Sequence, residues 1–177
     1  ERIEVLRGSH GVLYGSEAVG GVVSMFTAHG GPTRQSLSLE AGSYDSYSAS
    51  GFAAGNLSSL DYGVALNFSE SDGFSAADED DGNTEDDGYE YMSAVGRFGF
   101  ALSDNVDLNL SVRYVDSDVN HDDYAPVDSN DTTAFESLNA KLGLAYQVDN
   151  MRHEISLVTS KDENKSVSAF STLSTEG

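Results

Sequence analysis

The chain has 177 residues, with 9 Lys+Arg against 30 Asp+Glu and a formal net charge of −21. That balance excludes a nucleic-acid-binding module, which needs clustered cations, and the lack of cysteine excludes disulfide scaffolds and thiolate zinc sites. No apolar run approaches the roughly 18–20 residues of a membrane-spanning helix, and a chain that opens on Glu1 rather than Met, without a signal peptide, reads as a fragment of a longer protein.

The first predicted element is a strand over Glu1–Gly8 that ends in a turn. Val12-Leu13-Tyr14-Gly15-Ser16 and Glu17-Ala18-Val19-Gly20-Gly21 follow, and then an apolar strand from Val22 to Thr27. Gly15, Gly20 and Gly21 permit tight backbone or positive φ. Read from the residues alone, this is a small β segment with glycine turns.

After residue 34 the sequence alternates with period two. Leu37 and Leu39 share a face. A weaker run at 46–55 carries Tyr47, Ala49 and Gly51. Tyr62, Val64, Leu66 and Phe68 line the next segment, then Ala94 to Leu102, Leu108 to Tyr114, Leu138 to Tyr146, and Ile155 to Thr159. Successive side chains of a strand point to opposite faces, so this pattern predicts seven strands. The links at 42–45, 56–59, 103–105 and 149–151 are tight, with turn chemistry. Those at 72–88 and 118–136 are long and acidic. The tight links after the second, fourth and sixth strands fall on one side of the sheet and the two long ones on the other, as in an outer-membrane barrel.

The second face of each strand is polar or small, as in Asp107, Asn109, Ser111 and Arg113 opposite Leu108, Leu110 and Val112. In a soluble sandwich the apolar face would meet a second sheet. In a barrel it would meet lipid. Periodicity leaves both open, whereas long strands, sided loops and Tyr near strand ends (Tyr44, Tyr62, Tyr89, Tyr91, Tyr114, Tyr146) favour the barrel.

The acids gather in two windows, 70–90 and 116–136, neither of which holds Lys or Arg. Such blocks repel themselves and stay out of cores. They read either as solvated loops or as loops folded around a hard cation. Ca²⁺, which takes about 6–8 oxygen ligands, suits the second reading. Asn83-x-Glu85-x-Asp87-Gly88 imitates the start of an EF-hand loop, but Ala94 stands where its last Glu is needed.

The order and spacing of Arg2-Ile3-Glu4-Val5-Leu6-Arg7-Gly8, Leu13-Tyr14-Gly15-Ser16, Glu17-Ala18, Gly20-Gly21-Val22 and the apolar strand after them closely resemble the end of the plug of TonB-dependent outer-membrane receptors. The likeness continues through the alternating region, so it covers essentially the whole chain. Ser9-His10 replace the usual Pro after Arg-Gly, and Ser24-Met25-Phe26 replace a strand usually written with Asn and Ile. The resemblance implies an all-β fold, a plugged 22-stranded transmembrane barrel. Residues 1–30 would be the C-terminal part of the plug, 31–34 a linker, and 35–177 the first part of the barrel, with external loops 72–88 and 118–136. Arg7 and Glu17 would then pair with barrel charges or simply sit in exposed ion pairs.

Within the family the acidic loops are similar to those of the cobalamin receptors, where they bind calcium. The ligand pattern falls on Ser75, Asn83, Glu85 and Asp87 in the first loop and on His121, Asp122 and Asp131 in the second. Ser75 stands where Asp is usual, and His121 where Tyr is usual, so His121 would serve only through its backbone carbonyl. Asp123 occupies a position that touches the corrinoid in the family, and its charge tells against cobalamin itself. The resemblance implies a bacterial (Gram-negative) outer-membrane location and active import of a scarce nutrient. The partners it implies are cobalamin or a siderophore, a TonB-type energy-coupling protein and outer-membrane lipid, with no nucleic acid. The alternatives are an iron-siderophore or haem receptor and a soluble calcium-dependent adhesion sandwich. His10, His29, His121 and His153 are scattered, and no HExxH, GxSxG or P-loop pattern is present, so the chain is not read as an enzyme.

Overall fold

The computed structural model describes residues 2–8, 21–26, 30–75, 86–122, 131–168 and 172–177, and every regular element among them is a strand. β1 (Arg2–Arg7) and β2 (Gly21–Phe26) pair antiparallel as a two-stranded sheet, Arg2 opposite Phe26 and Arg7 opposite Gly21. The remaining strands form one antiparallel sheet in chain order: β3 (Arg34–Ala41), β4 (Tyr47–Leu57), β5 (Leu60–Ser71), β6 (Tyr89–Ser103), β7 (Val106–His121), β8 (Asp131–Val148), β9 (Met151–Val167) and β10 (Thr172–Glu176).

Local chemistry sets the hairpins. At one end of the sheet β4 turns into β5 through Ser58-Ser59, β6 into β7 through Asp104-Asn105, and β8 into β9 through Asp149-Asn150. Ser58 (φ 55°) and Asp149 (φ 49°) adopt the left-handed conformation that two-residue turns need if they are to match the twist of their strands. Leu57 opposite Leu60 and Val148 opposite Met151 close those two turns. The long links leave from the other end, where Tyr44 and Asp45 also shape a short turn with positive φ.

The register gathers the alternation into two unlike faces. Leu60–Phe68 on β5, Val106–Tyr114 on β7 and Leu138–Tyr146 on β8 each place apolar side chains at every second position. Eight residue steps span about 27 Å along a strand, and a tilt of about 40° leaves about 20 Å of height, close to the apolar band of an outer-membrane barrel. Phe68 and Tyr114 lie toward the long-link end, Phe100 and Tyr146 toward the tight-turn end. Leu37, Leu66, Tyr146 and Ile155 on this face are exposed, Leu37 at 76% and Ile155 at 73%, whereas Phe68, Phe100 and Tyr114 are half-buried. Among the described residues, the buried hydrophobics are Ala54, Val115 and Ala145. Among the described residues nothing packs over the apolar face of the large sheet.

The structure differs from the sequence reading in two places. The strands are longer than the apolar runs, and β7 and β8 extend into the segment 118–136 that charge alone marks as loop, β7 running to His121 and β8 starting at Asp131. An eighth strand, β10, pairs with β9 from Thr172 opposite Val167. A register shift between Ala101 and Ser103 on β6 places Ser103 opposite Val106.

Candidate functional site

Of the expected ligand residues, Ser75, Asp87, His121, Asp122 and Asp131 lie at the long-link end. Ser71 ends β5, and its hydroxyl donates to the Tyr44 carbonyl at 3.2 Å and accepts from the Gly73 amide at 3.2 Å. Ser46 Oγ shares a 2.7 Å hydrogen bond with Ser71 Oγ, and the Asp72 amide donates to the Tyr44 carbonyl at 3.1 Å. The rings of Tyr44 and Phe74 lie 5.3 Å apart at 43°. The short 42–46 turn is thereby fastened to the rising stem of the first acidic loop.

The returning stem runs beside the rising one. The Asp87 amide donates to the Phe74 carbonyl at 3.4 Å. Only glycine fits at the crossing. Gly73 has φ +78°, and a Cβ there would overlap the Asp87 carbonyl. A Cβ on Gly88 would lie 2.8 Å from the Ser71 carbonyl oxygen. Ser75 and Asp87, both half-buried, therefore stand at the base of one loop.

The second stem is joined to the first, because the Asn120 amide on β7 donates to the Gly88 carbonyl at 2.9 Å. His121 is directly opposite Asp131 across β7 and β8. Asp131 is only 2% exposed, and Oδ2 of the neighbouring Asp122 is closed to solvent. His121 and Asp131 thus face each other where β7 ends and β8 begins, with Asp122 next in the chain. Asn83, Glu85 and Asp123 lie outside the described residues. Among the described residues, no three His, Asp or Glu side chains gather closely enough to hold a metal. The donor set is nonetheless of the right kind for a hard cation: carboxylates, a hydroxyl and carbonyls.

The acid windows also have a spatial consequence. Register places Glu70 opposite Glu90 and Glu90 opposite Asp118. Asp116 faces Glu136, which faces Glu163. Like charges directly opposite one another destabilise a ladder. Beside them lies a groove of about 500 Å³ whose walls include Glu70, Asp72, Asp86, Glu90 and Asp118 and no Lys or Arg. Such a rim attracts cations in proportion to its uncompensated charge.

The polar face carries a second feature, which the sequence reading did not single out. Asp61, Arg97, Asn109, Ser111, Lys141 and Glu154 line a groove of about 440 Å³ toward the tight-turn end. Lys141 Nζ lies 3.5 Å from Glu154 Oε1, and Arg152 Nη1 lies 3.6 Å from Asp107 Oδ2. Farther along, Asn67 donates to Ser93 Oγ at 3.2 Å, and Ser160 donates to Asn139 at 2.8 Å. Both charge signs and many hydroxyls on this wall suit contact with water or a polar filling. Its signal in the sequence is the second residue of each alternating pair, but only the cross-strand register shows which of them meet.

Comparison with known proteins gives two relatives. The vitamin B12 transporter BtuB of Photobacterium profundum is 33% identical over 182 residues, covering 99% of this chain and 30% of the relative. The vitamin B12 transporter BtuB of Vibrio vulnificus is 34% identical over 128 residues, covering 69% of this chain and 20% of the relative. The chain therefore spans less than a third of the length of these relatives. No family profile matches it. The all-β sheet with an open apolar face and these relatives together place the chain in the outer membrane of a Gram-negative bacterium.

Proposed function

From a chain whose likeness to the TonB-dependent outer-membrane receptors runs through 99% of its length, we propose that the intact protein is an active transporter importing a cobalamin-type nutrient. The carrying observation is the sheet itself: neighbour-paired strands with an open apolar band on one face and a charged, hydroxyl-rich wall on the other. The band meets lipid and the wall meets the lumen. Nutrient is bound at the acidic rim, and an energy-coupling protein of the TonB type acts through the amino-terminal domain.

Calcium is the proposed resident ion of the rim. Ser75, Asp87, Asp122 and Asp131, with the His121 carbonyl, would hold it together with Asn83 and Glu85. Bound there, the ion supplies positive charge that offsets the facing carboxylates and fixes both loop stems. The stems themselves are held by the Tyr44, Ser71 and Phe74 contacts and by the Asn120–Gly88 bond. A rim ordered beforehand lowers the ordering cost of nutrient binding.

The test is uptake of radiolabelled cobalamin by a Gram-negative strain that lacks its own transporter and carries the full-length gene. Energy-dependent accumulation that weakens when calcium is chelated supports both parts of the reading. Accumulation of a ferric siderophore or haem in place of cobalamin would move the substrate assignment to the neighbouring class, the direction in which the charge of Asp123 points.

A further inference from the structure

The segment between the two sheets is seated with unusual closeness at one point. Thr33 continues the β3 edge beside Gly55, where a Cβ would lie 2.9 Å from Thr33 Oγ1 and 3.1 Å from Thr33 Cα. The chain then leaves the edge and passes the β4–β5 turn. Gly30 is buried there, and its amide donates to the Tyr62 carbonyl at 3.3 Å. A Cβ on Gly30 would meet Asp61 Cγ at 3.2 Å and Asn56 Oδ1 at 3.5 Å. Asn56 Nδ2 in turn donates to Asp61 Oδ1, so the two side chains are joined beside Gly30. Both belong to the polar face of the sheet, Asp61 being paired with Gly99 beside the charged groove.

Two adjacent residues differ in kind. A Cβ on Gly30 (φ +61°) would press on Asp61, whereas Gly31 (φ +76°) has nothing within 4 Å of where its Cβ would stand. Both need the left-handed conformation that glycine adopts freely and asparagine tolerates. One is clamped and the next is free, with Pro32 stiffening the chain beyond.

We infer that Gly30, Asn56 and Asp61 form a strap that fixes the end of the amino-terminal domain to the inner wall. The inference rests on the proposed transport function for its meaning: a pull on the amino-terminal domain is taken by the strap before it reaches β3, the first strand of the large sheet. Asn56 and Asp61 are positioning residues that act through the seated backbone of Gly30. While the strap holds, β3 stays zipped to β4.

The experiment is amide hydrogen exchange on the full-length receptor in lipid vesicles, read on the peptide spanning residues 28–34. Wild type and Gly31→Asn are expected to keep this peptide protected. Gly30→Asn and the pair Asn56→Ala with Asp61→Ala are expected to exchange about tenfold faster there, with the β6–β9 strands unchanged. Energised cobalamin uptake should fall roughly fivefold in the loosened variants, while cobalamin affinity stays at the wild-type value. Equal exchange in all four proteins, equal behaviour of the two asparagine variants, or uptake untouched by a loosened peptide would each overturn the strap. A wild-type receptor that neither binds nor imports cobalamin but shows the exchange contrast would overturn the transport reading and support the strap.

Discussion

Leu142→Arg isolates the claim that lipid covers the apolar face. Leu142 sits in the middle of the run from Leu138 to Tyr146, with Leu110 opposite on β7 and Leu157 opposite on β9. Four residue steps separate it from either end, about 13 Å along the strand and about 10 Å in depth once the tilt is included. An Arg placed there is expected to cost about 2–4 kcal/mol, against about 0–1 kcal/mol near the interfaces. That is roughly a 30- to 900-fold change in the folding equilibrium. The assay is denaturant unfolding of the full-length protein in vesicles of two lipids with different acyl-chain lengths. In the thinner bilayer the guanidinium reaches headgroups more easily, so the penalty shrinks. Ser160→Arg, on the polar face beside Asp162, is the control and should cost little. A penalty for Leu142→Arg that ignores acyl-chain length, or that equals the control, refutes the lipid-facing assignment.

Three other outcomes follow from the rim and the wall. Gly73→Ala forces a Cβ into the Asp87 carbonyl at positive φ, so the two loop stems must part; cobalamin affinity should drop about tenfold or more while global unfolding shifts by roughly 1–3 kcal/mol, read by titration calorimetry and denaturant melts. Chelating calcium should weaken cobalamin binding to the wild-type receptor, and Asp87→Asn together with Asp131→Asn should abolish that dependence; calorimetry with and without the ion checks this, and an identical calcium effect in the variant removes the ion from Asp87 and Asp131. The Lys141–Glu154 pair, with side chains 49% and 53% exposed, should give a coupling of about 0–1 kcal/mol in a double-mutant cycle; a coupling of several kcal/mol would mean that the polar wall is sealed from water.

The strand order and the two-faced character of the sheet were legible because both rest on local rules. Alternation at Leu108, Leu110 and Val112 fixes a face, and Ser58-Ser59 or Asp149-Asn150 fixes a turn. Strand length was not legible, because Asp116, Asp118 and Glu136 read as solvated loop when charge is the only guide. In the structure they continue the ladder past the apolar band, where an outward carboxylate is wetted. β10 escaped notice because Leu173 is its sole apolar residue. At the rim, the resemblance pointed to His121 and Asp131, but only register shows them face to face. The grouping of Asp61, Arg97 and Lys141 depends on the alignment of several strands at once, which no short window of sequence contains.

Every strand of the large sheet is bonded to its neighbours in chain order. Such a pattern demands no distant segment before a pairing can close, so each hairpin offers a finished template to the next as the polypeptide emerges. Assembly can then proceed as a zipper from one end, with Ser58-Ser59, Asp104-Asn105 and Asp149-Asn150 as successive teeth. A defect in one turn would halt the process there and leave the earlier pairs intact, so truncated intermediates of stepwise length are the expected signature of a damaged hairpin.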